Sequence, residues 1–240
     1  MNPVKTGIEG LDKMLKGGLL RGRTILLSGP AGSGKSTLAM QFAYNGAMKF
    51  NENALYLSLE EEKQKIIENM SKLGFDIKKA EASGKLLLIG GNLADVRASM
   101  DEVDAKITHL IEELGELIRE HNIKRVVIDS INVFLMLLDT IKEKRIALAK
   151  LSRMLSSLGC TSMFVSETKE GTMDISRHGI EEFVVDGVIV LYLVREGPKF
   201  VPGIAVRKMR GINHDKEIRL FDITNEGVVV YPNETMFTNL

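Results

Sequence analysis

The sequence predicts an α/β fold, a mainly parallel central sheet flanked by helices, with an antiparallel β extension at its C-terminal end. Three observations carry that prediction. Short apolar runs alternate with helix-period stretches through most of the chain. After about residue 186 the helical periods stop, and apolar runs follow one another across turn-length gaps. A glycine-rich loop sits between the first apolar run and the first helix-compatible stretch, the junction at which open parallel sheets bind ligands.

Taken in order, "RTILLSG" (23–29) is a buried-strand run, and "STLAMQFAYNGAMKF" (36–50) is compatible with a helix. "ALYLSLE" (54–60), "KLLLIG" (85–90), "RVVIDS" (125–130) and "TSMFVSE" (161–167) read as further strands. Residues 103–120 set Ile107, Leu110, Ile111, Leu114, Leu117 and Ile118 on one helical stripe. Residues 141–158 do the same with Leu148, Leu151, Leu155 and Leu158. Strand, helix and strand in repetition imply a parallel sheet covered on both faces. Beyond residue 186, "DGVIVLYLV", "GIAVRKMR", "EIRLFDIT" and "GVVVYP" read as strands, with "REGPKFVP" a hairpin candidate between the first two. Without a linker, repeat or low-complexity tract, residues 1–240 are expected to form a single domain.

The 240 residues are 44% hydrophobic and 27% charged, enough apolar material for a sizeable core. Bases and acids balance at 32 each, which argues against a general nucleic-acid binder but leaves room for a local basic face. The one cysteine, Cys160, excludes an intrachain disulfide framework and suits a reducing cytoplasm. Its place between a helix end and an apolar run predicts a buried, inert thiol. The N-terminus has no apolar core of signal-peptide length, and no run approaches a membrane span, so a cytoplasmic chain without a membrane partner is expected. The four histidines show no metal-ligand spacing.

"GPAGSGKST" (29–37) fits the spacing of a phosphate-binding loop, following a strand and preceding a helix. Its glycines let backbone N–H groups turn inward, and the helix N-terminus adds partial positive charge. Gly29, Ala31, Gly32, Ser33 and Gly34 would cradle the phosphates of ATP or ADP. Lys35 would reach the β- and γ-phosphates and Ser36 would hold Mg²⁺. Thr37 lies either beside the α-phosphate or in first-turn packing. Asp129 ends a buried strand, where an acid needs partners, and Mg²⁺ with its waters is one. The competing role for Asp129 is a cap on the next segment. Glu60, Glu61 and Glu62 end another strand, and two readings stand. Either they complement the dipole of a following helix, or Glu60 faces the γ-phosphate and orients the attacking water as a general base.

Several blocks together resemble the RecA-like P-loop ATPases, and within them the KaiC-type group. They are "KTGIEGLDKMLKGGLLRGRTILLSGPAGSGKST", "LYLSLEEE", "RVVIDS", "SRHGIEEFVVDGVIVL" and "KMRGINH…FDITNEGVVVYP". The resemblance implies an Mg²⁺-dependent ATPase of archaeal single-domain type, working as a hexameric ring with active sites between subunits. It makes Glu60 the catalytic glutamate, with Glu61 its companion, Lys35, Ser36 and Thr37 nucleotide ligands, and Asp129 the acid on the Mg²⁺ side. It also implies that Lys208 and Arg210 reach across an interface to the γ-phosphate held by a neighbour. Autophosphorylation, known from the clock protein's second domain, finds no matching segment here.

The charge distribution is compatible with such a ring. Residues 195–220 carry seven Lys/Arg against three acids, and residues 60–120 carry fourteen acids against nine bases. Opposite-sign regions on a neutral chain can meet head to tail and close. The alternative for the cations is a solvated strand edge. Strand alternation puts Lys208 and Arg210 on one face and Arg207 on the other. Three further functions remain open: a nucleotide-gated scaffold with little turnover, a recombinase-type ATPase stimulated by DNA, and a kinase acting on itself. The loop within 167–179 is short, mixed in charge and without aromatics for base stacking, which disfavours DNA.

Overall fold

The computed structural model describes residues 3–91, 103–168 and 174–236. The first half runs α1 (Glu9–Met14), β1 (Thr24–Gly29), α2 (Lys35–Lys49), β2 (Ala54–Ser58), α3 (Lys63–Ser71), α4 (Ile77–Ala82) and β3 (Leu86–Gly90). There follow α5 (Val103–Glu120), β4 (Arg125–Asp129), α6 (Ile131–Leu135), α7 (Ile141–Ser157), β5 (Thr161–Glu167) and α8 (Glu181–Val184). Four strands close the chain: β6 (Gly187–Glu196), β7 (Lys199–Met209), β8 (Arg219–Thr224) and β9 (Gly227–Thr235).

All nine strands form one sheet in the order β3-β2-β4-β5-β1-β6-β7-β8-β9. From β3 to β6 neighbouring strands are parallel, and from β6 onward they are antiparallel. This is the α/β architecture expected, with its antiparallel C-terminal extension. Both faces are covered. Ile25 and Leu27 of β1 join the apolar layer with α1 to α4, while Leu26 joins the layer with α5 to α8. A strand buried on both sides needs apolar residues throughout, which is why these strands read as continuous runs.

The two predicted helices appear at Val103–Glu120 and Ile141–Ser157. The expected hairpin forms, with a shorter turn than the gap suggested. "REGPKFVP" is mostly strand, with the turn reduced to Gly197 and Pro198 between β6 and β7. Cys160 is fully buried, and burial pushes its thiol up to about 11, so it is inert as expected. Residues 169–173, part of the loop considered above for DNA, lie outside the described residues. Among the described residues no helix is long and apolar enough to cross a membrane.

Two clasps hold the C-terminal extension against the first half of the chain, one on α2 and one on α1. In α2, Gln41 Oε1 accepts from the Val228 N–H at 2.6 Å, and its Nε2 donates to the Val228 carbonyl at 3.3 Å. The N-terminal "TGIEGLD" supplies the other. Asp12 accepts from the Thr6 N–H at 2.7 Å, the Thr6 hydroxyl at 2.8 Å and the Gly7 N–H at 3.1 Å. Burial still leaves its carboxyl above the usual value. The helix this loop begins, α1, lies on β9 so closely that a Cβ on Gly10 would stand 2.0 Å from the Val230 carbonyl oxygen. Gly10→Ala is therefore expected to destabilise the fold by about 1–3 kcal/mol, through overpacking against backbone that cannot yield. Urea unfolding checks this, and an unchanged midpoint would remove Gly10 from the clasp.

Candidate nucleotide-binding site

The loop leaves β1 at Gly29 and enters α2 at Lys35. Two glycines make that turn possible. Gly32 and Gly34 have φ of +74° and +87°, a region that side chains disfavour. Gly34 is also crowded, since a Cβ there would lie 2.6 Å from Cδ1 of Ile223 on β8. The C-terminal extension thus forms one wall of the loop. Ala31 is exposed at the loop tip, whereas Ser33 is 2% exposed. Ser33 Oγ donates to the Pro30 carbonyl at 2.8 Å, so its side chain braces the loop from within.

Lys35 Nζ donates to the same Pro30 carbonyl at 2.6 Å, folding the ammonium across the loop. Burial pushes its pKa below the usual value, and Glu167, Asp129 and Glu60 pull it back. These three acids end β5 and β4 and follow β2, so the parallel sheet collects them at one edge. A polyphosphate would supply the anionic partner that the buried Lys35 needs. Ser36 and Thr37 occupy the first turn of α2.

Asp129 Oδ2 accepts from the Tyr56 hydroxyl at 2.5 Å, and the Ser36 hydroxyl lies beside the same phenol. Ser36 and Asp129 offer oxygen donors only, the chemistry that a hard divalent cation requires. The residues present therefore fit Mg²⁺ as well as phosphate. Asp129 does not cap the next helix through its side chain: Ser130 is the N-cap residue of α6, and no side-chain cap bond forms there. The peptide between Asp129 and Ser130 is cis.

The acidic triplet precedes its helix. Glu62 is the N-cap residue of α3 and the first turn contains no acid, so these glutamates do not line the first turn as the dipole reading requires. Glu60 Oε1 accepts a hydrogen bond from Ser130 Oγ, which turns it toward the Lys35 cluster. Glu61 turns elsewhere: its N–H donates to Ser58 Oγ at 3.0 Å and its Oε1 accepts from Asn69 Nδ2 at 3.0 Å.

Glu167, Tyr56 and Ser130 escaped the sequence reading. Glu167 carried a usable signal, being an acid at the carboxyl end of a buried strand, as Asp129 is. Its place beside Lys35 follows from the pairing of Gly29 with Glu167 across β1 and β5.

Lys208 and Arg210 are not at this edge. Met209 pairs with Gly187, which pairs with Ile25 at the start of β1. The phosphate loop leaves the other end of β1, four residues on, or about 13 Å of strand. Lys208 Nζ donates to the Glu182 carbonyl at 2.7 Å and the Val185 carbonyl at 2.6 Å, holding the end of α8. Arg210 is more than half exposed, and its Nη1 lies 3.8 Å from Asp186 Oδ1, which also takes Arg23 Nη1 at 3.1 Å. The expected alternation fails at Arg207. Ile189 pairs with Val206 and Val188 with Lys208, so Arg207 is the extra residue of a β-bulge. It acts on the phenol of Tyr192, on the side of the sheet where Lys208 meets α8.

Comparison with known proteins agrees with the fold. A family model described as the KaiC ATPase matches residues 4–235. UPF0273 protein PF1931 of Pyrococcus furiosus is 36% identical over 240 residues, covering 97% of this chain and 95% of that protein. UPF0273 protein MJ1359 of Methanocaldococcus jannaschii is 35% identical, covering 98% of this chain and 99% of that protein. The circadian clock oscillator protein KaiC of Parathermosynechococcus lividus is 35% identical over 95% of this chain but only 42% of its own length. Among solved structures, KaiC-like protein PH0186 of Pyrococcus horikoshii superimposes with a TM-score of 0.83 at 33% identity, over 96% of this chain and 99% of that one. A phosphate loop set in this sheet, together with matches that run almost end to end, places the chain in the KaiC-like family of P-loop ATPases.

Proposed function

We propose that the chain binds ATP with Mg²⁺ and hydrolyses it within a ring of identical copies, in which Lys208 and Arg210 of one copy complete the site of the next. The observation that carries this is the placement of the cations at the end of the sheet opposite their own phosphate loop. They cannot serve the nucleotide of their own chain, yet a head-to-tail neighbour brings one end to the other.

Within a site, Gly29 to Gly34 hold the phosphates through backbone N–H groups, and Lys35 leaves the Pro30 carbonyl for the γ-phosphate. Ser36 and Asp129 hold Mg²⁺, and Thr37 lies against the α-phosphate. Bound Mg²⁺ supplies charge neutralisation for the phosphate oxygens. Glu60, aimed by Ser130, accepts the proton of the attacking water, and the backbone N–H of Glu61 ties the end of β2 to Ser58 Oγ. Arg210 meets the charge that grows on the transferred phosphoryl group. Of the two cations Arg210 is the freer, because Lys208 already donates to two carbonyls of its own chain.

Assembly tests the reading directly. Light scattering on the full chain is expected to show a closed ring, six copies by the family resemblance, in Mg²⁺ and a non-hydrolysable ATP analogue. A monomer under that condition and without nucleotide alike would remove every role given to Arg210.

A further inference from the structure

Tyr56 sits in the middle of β2, 1% exposed, with its ring in the apolar layer beneath α2. A phenylalanine would fill that space equally well. A buried hydroxyl is costly unless it is bonded, and this one is bonded at the nucleotide site. It donates to Asp129 Oδ2 at 2.5 Å, and the Ser36 hydroxyl lies beside it. The register explains the reach: Tyr56 pairs with Val127, and Asp129 follows two residues on along the same face of β4. One side chain from outside the phosphate loop thus touches both residues assigned to the cation.

We infer that Tyr56 is a positioning residue for the Mg²⁺ of the nucleotide, holding Asp129 by Oδ2 so that Oδ1 and the Ser36 hydroxyl face the cation's hydration shell. This rests on the nucleotide reading above. The physical basis is general. A ligating carboxylate is oriented by the groups bonded to its other oxygen, and loss of such a partner weakens metal affinity by roughly 10–100-fold. Phenol is suited to the task here because it reaches Asp129 from a strand packed on both faces, where its ring has no room to swing.

Tyr56→Phe removes one oxygen and keeps the ring. The full chain and the variant are titrated with a fluorescent, non-hydrolysable ATP analogue, once in EDTA and once across a Mg²⁺ series. Affinities in EDTA are expected to agree, while the Mg²⁺ concentration for half-maximal gain rises about tenfold in the variant. Equal Mg²⁺ dependence would overturn the inference and make Tyr56 a core-filling ring. If the parent binds the analogue under neither condition, the nucleotide reading falls first and takes the inference with it.

A second readout is taken first on the parent itself. The chain has four tyrosines and no tryptophan, so its intrinsic emission is tyrosine emission. A phenol bonded to a carboxylate is quenched, and drawing Asp129 onto the cation alters that bond. Adding Mg²⁺ and a non-fluorescent, non-hydrolysable ATP analogue should change the emission of the parent and of Tyr192→Phe alike, but not that of a folded Tyr56→Phe. No change in the parent would also overturn the inference.

Discussion

Glu60→Gln is expected to slow ATP hydrolysis by about 10²–10⁴-fold, the usual loss when a general base is removed. Nucleotide affinity should hold or rise. Glutamine keeps the shape of the side chain, and its Oε1 can still accept from Ser130 Oγ as Glu60 does. What disappears is the proton acceptor and one negative charge near Lys35. Losing that charge eases the approach of a polyphosphate, so binding and turnover should move apart. Phosphate release at saturating ATP measures one, and analogue titration the other. If the variant turned over like the parent, Glu60 would have no part in the chemistry. Glu61→Gln is the contrast. Its carboxylate is turned to Asn69, away from the cluster, so its loss should cost far less than that of Glu60.

The same two glutamates show where sequence stops being sufficient. Strands such as "RTILLSG" and "RVVID" were legible because both faces of a parallel sheet are buried, which forces an apolar run. The phosphate loop was legible because its chemistry is local in the chain. The glutamate triplet was not, because its two readings differ by where α3 begins, and helix starts are set within a residue or two by tertiary context. The helix starts at Lys63, and that alone takes Glu60 out of the dipole reading. Glu167 was missed for another reason. Its nearness to Lys35 exists only once β5 pairs with β1, a contact between segments more than a hundred residues apart. Arg207 was misplaced because a bulge breaks the period of two on which alternation depends. The cross-subunit role of Arg210 came from family resemblance. No spacing within one chain can encode a contact with a second copy.

The proposed contact carries the largest expected effect. Arg210→Ala should lower turnover by about 10³–10⁵-fold, the range found for arginine fingers in phosphoryl transfer. The variant should still bind ATP, because its own phosphate loop is intact. A structural explanation competes, since Arg210 lies near Asp186 at the mouth of β6. That pairing, at 3.8 Å from an arginine more than half exposed, is too weak for its loss to disturb the fold, and Arg23 at 3.1 Å keeps Asp186 paired. Thermal melting of the variant should therefore stay close to that of the parent. Mixing then separates the roles. A Lys35→Ala copy cannot hold nucleotide but offers a sound Arg210, and an Arg210→Ala copy offers a sound loop. Where the second accepts the finger of the first, a competent site forms, so mixed rings should recover part of the activity that neither variant has alone. An arginine acting on its own chain's nucleotide would give no recovery at any ratio, because every copy would then be defective. The strand register already disfavours that outcome: Arg210 follows the residue paired with Gly187 at the foot of β6, while the phosphate loop stands at the far end of β1.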